Sequence, residues 1–350
     1  MYSLLKLPLQ KGITVVLLTA LMVMLLVGCG NESQDDSSAT EGSEIMPSQV
    51  EETSGDSETA TEATQVAGDS EWETAVIDGG ITINEVHAFA GGLIGMNSMQ
   101  LYYSADGINW ELTKDLSPFP FYDAFLAGGQ MVVYDSDNAH FSSDGKSWTS
   151  SPRQVYHLFN TAMHDGSKFI DVDTGYLGTS EDGLKYLKVR ADINNPLSEV
   201  YFQTASGYAA SISKLALYDG VYYAVGDGIW SSTDLYTWTQ DVTIEELVYT
   251  AEDLLFNGET FLVPASYAIY TFDGSNITSG THTGNVYLVH DGKFIAIFGN
   301  GASSKSTDGI TWEPLFAEDS TSFTAYCSVV FNGKLFVYGE DGNMRYADMK

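Results

Sequence analysis

The sequence predicts an all-β fold: a seven-bladed β-propeller of four-stranded blades, closed by an N-terminal strand. Three observations predict it. An Asp turn recurs at near-regular spacing, a Gly turn recurs in phase with it, and the two ends of the repeating region carry complementary parts of one blade.

The Asp turn is first met as "SADGINW" at 104–110. It returns as "SSDGKSW" at 142–148, "SEDGLKY" at 180–186, "STDLYTW" at 232–238 and "STDGITW" at 306–312, with a weaker copy, "TFDGSNI", at 271–277. Its markers are Asp106, Asp144, Asp182, Asp234, Asp273, Asp308 and finally Asp348, spaced by 38, 38, 52, 39, 35 and 40 residues. Periods of this size belong to propeller blades or helical arrays.

The Gly turn decides between them. It ends at Gly92, Gly129, Gly166, Gly220, Gly258, Gly292 and Gly333, each 14 to 16 residues ahead of its Asp. Short β-rich runs follow it, such as "QMVVYD", "VYYAVG" and "KLFVYG". Each unit therefore reads strand, Gly turn, strand, loop, strand, Asp turn, strand, which is a blade. The last unit stops two residues after Asp348, before any fourth strand, while "EWETAV" at 71–76 looks like the runs that follow the other Asp turns. Residues 72–76 are thus expected to complete blade seven, removing the open sheet edges. The alternative is an unclosed or miscounted ring.

The turns resemble the Asp-box of sialidase-type (BNR-repeat) propellers, over about residues 72–350. The resemblance implies that Asp106, Asp144, Asp182, Asp234, Asp273 and Asp308 are structural, each carboxylate accepting backbone N–H groups across its own turn. Tyr186 replaces the Trp in one copy and Leu235 the Gly in another. Sialidases of this fold are also implied to need three central arginines, a Tyr–Glu pair and an Asp acid/base. This chain has only Arg153, Arg190 and Arg345, none in the motif that supplies the first of the three. An active sialidase is not expected. The superfamily also includes non-enzymatic propellers, such as photosystem assembly factors, which bind protein partners, and fold does not choose between such roles.

Residues 1–28 have a basic start (Lys6, Lys11), an apolar run and "LVGC", ending at Cys29. This describes a secretory signal peptide, and the last four residues resemble a bacterial lipobox. Cleavage before Cys29 and diacylglycerol on its thiol are expected, which places the protein outside the cytoplasm, anchored in the bilayer by its lipid. An uncleaved signal anchor is the alternative. Residues 29–71 hold the lipidated Cys and a tether with twelve acidic residues and no Lys or Arg after Cys29, too polar to fold. The domain at 72–350 still carries 35 acidic against 13 basic residues. That charge argues against nucleic acid as a partner.

Other chemistry does not assemble. His164 and His290 occupy the repeated "HDG" turn, and there is no HExxH, P-loop or GxSxG motif. "DSDN" at 135–138 has carboxylates suited to Ca²⁺ but lacks the Gly and distal Glu of an EF-hand loop, so no cofactor is expected beyond that one calcium possibility. Cys327 reads as a buried apolar thiol.

Gly turns and Asp turns share one side of the ring, so the other side is the expected ligand face. Its aromatic candidates are Phe119, Phe121 and Tyr122 in "SPFPFYD" and Tyr156 and His157 in "RQVYHLF". Tyr201, Phe202 and Tyr208 join them from the insertion at 190–211 that makes the 52-residue period. Flat aromatics beside acids suit sugar rings or cationic groups. The expected function is a tethered binding or scaffold module for a glycan or protein, not an enzyme; the alternative is a divergent carbohydrate-active enzyme.

Overall fold

The computed structural model describes residues 72–154, 161–173, 175–204, 206–243, 246–247, 250–280, 284–317 and 323–349. These residues form seven antiparallel sheets of four strands, each sheet being one blade of a closed ring. The ring closes as the sequence predicts. Glu73–Val76 pairs with Asn343–Asp348, in register Glu73 with Tyr346, and supplies the outermost strand of blade 7. Trp72 anchors this splice: its Nε1 donates to the carbonyl of Ala317 at 3.1 Å, and its ring meets Phe316 of blade 6 at 4.8 Å.

Blades 1 to 6 are each stapled at an Asp turn. In blade 1, Oδ1 of Asp106 accepts the N–H groups of Ile108 (2.9 Å) and Asn109 (2.8 Å), while Ser104 Oγ accepts the N–H of Gly107 at 2.8 Å. The same set recurs around Asp144, Asp182, Asp234 and Asp308. Asp273, with Thr271 where the others have Ser, keeps only its bonds from Ser275 and Asn276. Hydrogen bonds from Ser147 and Lys146 hold the Asp144 carboxyl down at about 2. Asp106 also sits at about 2: burial would raise it, but the Asn109, Ile108 and Ser104 bonds outweigh that.

The aromatic four residues on reaches back to the preceding blade. Trp110 meets Tyr338 of blade 7 at 5.5 Å, Trp148 donates to Thr113 of blade 1, and Tyr186 bonds Tyr134 of blade 2. The turn Gly is required where the blades approach. At Gly145, φ is +74° and a Cβ would stand 2.4 Å from Ile94 Cδ1. Leu235 takes the same left-handed conformation, at φ 68°, with its side chain 2 % exposed in a cluster with Ile170, Phe202 and Trp230. Packing at this one joint outweighs the strain of a non-Gly residue at positive φ.

Candidate functional site

The seven innermost strands line the centre of the ring, and each starts at the loop face and ends at its Gly turn. Four residues before the last paired residue at each turn stand Glu85, Asp123, Thr161, Lys214, Asp253, Val286 and Cys327, one from every blade. This layer is charged in blades 1, 2, 4 and 5. Lys214 Nζ lies 3.4 Å from Asp253 Oδ1, and Glu85 Oε1 lies 2.7 Å from His87 Nε2. Asp123 accepts its neighbour's N–H, from Ala124, at 2.9 Å and the N–H of Ala162 in blade 3.

Asp123 is half-buried, and protein crowds its carboxyl. That desolvation pushes its carboxyl up to about 7, with the Glu85 charge adding to the rise and the Ala162 N–H and Lys214 opposing it. Burial would lower the Lys214 ammonium, but the carboxylates of Asp253 and Asp123 outweigh it and raise it instead. Cys327 is buried, with its thiol against the Ile83 carbonyl at 3.4 Å and its pKa raised well above normal by desolvation.

Immediately above this layer, the residues before Asp123, Asp253 and Cys327 are exposed on the loop face. In blades 2, 4 and 7 a β-bulge falls here, so that Tyr122, Ser213 and Tyr326 are extra residues in their strands. Tyr122 is 38 % exposed and Tyr326 44 %. Beside Tyr326 lies a cavity of about 590 Å³ whose walls come from blades 5, 6 and 7. Glu252, Asp253, Tyr267, Asn285, Tyr287 and Tyr326 are among the residues that line it. Ser266 Oγ donates to Glu252 Oε1 at 2.8 Å, and the Tyr287 hydroxyl accepts the N–H of Gly284, which fixes two of these side chains.

The aromatics named from sequence separate into three groups. Phe119, Tyr122 and Tyr208 are exposed on the loop face, Tyr208 at 75 %. Phe121 packs against the core between blades 1 and 2, and Tyr201 lies on Tyr176 at 4.5 Å. Phe202 is buried at 2 %, meeting Trp230 at 5.5 Å and Trp238 at 5.0 Å, a packing position rather than a contact surface. Tyr156 and His157 lie outside the described residues, as do Cys29 and the tether. The sequence reading missed Glu252, Tyr267, Tyr287 and Tyr326. One signal was present: Tyr326 precedes Cys327 as Tyr122 precedes Asp123, at the same distance from the Gly turn.

The arginines are structural. Arg345 is buried, donating to the Asn300 carbonyl at 2.8 Å and covering the Phe323 ring; Arg153 lies over Tyr134 and donates to the Asp135 carbonyl. Arg190 is exposed, and its backbone pairs with that of Glu199 within the insertion. The "DSDN" loop turns its first carboxylate inward, where Asp135 accepts from His140, Asp137 and Asn138. Among the described residues no helix is long and apolar enough to cross a membrane.

The chain is therefore a seven-bladed propeller with a cavity on its loop face. No protein-family model and no curated protein matches it, so the likeness of its turns to sialidase-type propellers stays a resemblance. Solved structures do match. YCF48 bound to D1 peptide aligns with a TM-score of 0.56 at 15% identity, over 80% of this chain and 97% of that one. Virginiamycin B lyase from Staphylococcus aureus aligns at 0.60 with 9% identity, over 80% and 99%. The extracellular domain of BT4673, a putative one component system from B. thetaiotaomicron, aligns at 0.57 with 8% identity, over 79% of this chain but 39% of that one. At these identities the likeness is one of fold.

Proposed function

We propose that this protein is a membrane-tethered, extracytoplasmic binding module that takes a glycan or protein ligand on its loop face. The observation that carries the reading is the cavity of about 590 Å³ walled by Glu252, Asp253, Tyr287 and Tyr326. It combines flat aromatic surface with fixed carboxylates, which suits sugar hydroxyls or a cationic side chain. Residues of blades 5, 6 and 7 carry it, and the exposed Tyr122, Phe119 and Tyr208 add aromatic surface elsewhere on the same face. Lipid on Cys29 would hold the module at the outer face of the membrane, with the acidic tether lifting it clear of the headgroups. YCF48 bound to D1 peptide supports the reading as a case of a similar fold holding a peptide.

A glycan array and a peptide pull-down with residues 31–350 test this directly. A ligand should emerge, and its affinity should fall at least about tenfold in Tyr326→Ala and Glu252→Gln, each removing one wall contact. Turnover of a glycoside by the same protein would instead favour the carbohydrate-active alternative. Undiminished binding in both variants would move the site away from the cavity.

A further inference from the structure

A second constellation lies in blade 2, apart from the cavity. Asp135 ends the second strand (Gln130–Asp135), His140 is in the third (Asn138–Ser142) and Ser150 in the outermost (Thr149–Pro152). Oδ2 of Asp135 lies 2.8 Å from Nε2 of His140, and Nδ1 of His140 lies 2.8 Å from Oγ of Ser150. Asp135 and His140 are 2 % and 3 % exposed, whereas Ser150 stands open at the outer edge. Lys114, from the outermost strand of blade 1, donates to Ser150 Oγ at 3.1 Å.

We propose that Ser150 is an activated nucleophile toward small esters, with His140 as its general base and Asp135 as the group that orients the base. The hydrogen bonds allow one consistent assignment. The Asp135 carboxylate is already an acceptor for the N–H groups of Asp137 (2.8 Å) and Asn138 (2.6 Å), so it is ionised and takes the Nε2 proton of His140. Nδ1 then carries the lone pair, and the Ser150 hydroxyl, which accepts from Lys114, donates to it. Burial holds the His140 imidazolium back more than Asp135 favours it, leaving a neutral base at pH 7. These are the roles that define a Ser-His-Asp set, whichever ring nitrogen faces the serine.

The repeat does not require it. The position four residues before each turn Asp holds Tyr102, Gly178, Trp230, Ile269, Ser304 and Met344 in the other blades. Chemically, Ser150 Oγ adds to the acyl carbon while its proton passes to Nδ1, and the carbonyl electron pair moves onto oxygen beside the Lys114 ammonium. Collapse expels the alcohol, which leaves with the proton from Nδ1. Water, deprotonated by the same nitrogen, then releases the acid and restores Ser150.

The test uses the full chain with a fluorophosphonate probe and an aryl acetate. Peptide mass spectrometry should find the adduct on Ser150, formed at least about 100-fold faster than on exposed Ser147, as general-base assistance allows. Labelling should rise with pH as His140 loses its proton, vanish in Ser150→Ala, and slow at least about tenfold in Lys114→Met, with melting unchanged in both. No Ser150 adduct, while a serine hydrolase in the same tube is labelled, would overturn the proposal. So would His140→Gln that melts lower yet labels at the wild-type rate, since the network would then be only a clamp between strands. Should that variant not fold, the two surface variants decide.

Discussion

Asp123→Asn offers a direct reading of the charged layer inside the ring. The wild-type carboxyl sits at about 7 in the folded protein, whereas in the unfolded chain it titrates near 4. A folded-state pKa above the unfolded one means that the folded protein binds the proton more tightly. The associated stability is therefore complete below about pH 4 and is lost as the pH rises through about 7. Three units at about 1.4 kcal/mol each set an upper bound of about 4 kcal/mol, and the partial exposure of Asp123 reduces this to roughly 2–4. Asn is neutral at every pH and so escapes that loss. Asn also has one acceptor oxygen where Asp123 uses two, for Ala124 and Ala162, which costs about 1–2 kcal/mol independently of pH. Urea unfolding of both proteins between about pH 4.5 and about pH 8.5 separates the two effects. The stability of the variant relative to wild type should climb through this window and level off above about pH 7. A difference that stays flat, or falls, would refute the desolvated, proton-holding Asp123.

Three further outcomes are expected. Cys29→Ser should leave the propeller's melting temperature unchanged while the protein passes from the membrane fraction to the soluble one, as fractionation and thermal scans would record. Asp144→Ala removes the acceptor for Lys146 and Ser147, so it should lower the melting temperature while leaving any loop-face ligand affinity intact in titration calorimetry. Leu235→Gly relieves the left-handed strain but opens a hole beside Phe202 and Ile170; chemical denaturation should show a net loss of about 2–3 kcal/mol.

The fold was legible because its signals are local and repeated. An Asp, a Ser two residues before it and an aromatic four after it make their turn bonds within a few residues, so the motif survives as text. Closure by residues 72–76 was legible for the same reason, since that run matches the strand after each Asp turn. The cavity was not. Its walls come from residues 252–253, 264–267, 284–287 and 326, which meet only because blades 5, 6 and 7 are neighbours in the ring. The insertion illustrates the other limit. Phe202 and Tyr208 share a loop and a chemistry, but Phe202 is drawn between Trp230 and Trp238 while Tyr208 faces solvent. Aromatic character alone does not tell which ring a neighbouring blade will bury.

The two faces of the ring thus obey different rules, for a physical reason. On the turn face, the Asp carboxylates of blades 1 to 6 satisfy N–H groups of their own turns and their aromatics lean on the preceding blade, so these blades meet the same demand and answer it with nearly the same residues. Where the answer differs, as at Leu235, its buried side chain joins the cluster at the joint between blades 3 and 4. On the loop face no such demand recurs, because the innermost strands begin there with only the neighbouring blade to satisfy. The layer of Glu85, Asp123, Thr161, Lys214, Asp253, Val286 and Cys327 accordingly has seven residues of six types. The recurring staples lie at the turns, so the residues above the layer are free to differ from blade to blade. That freedom lets a sevenfold scaffold carry one asymmetric cavity.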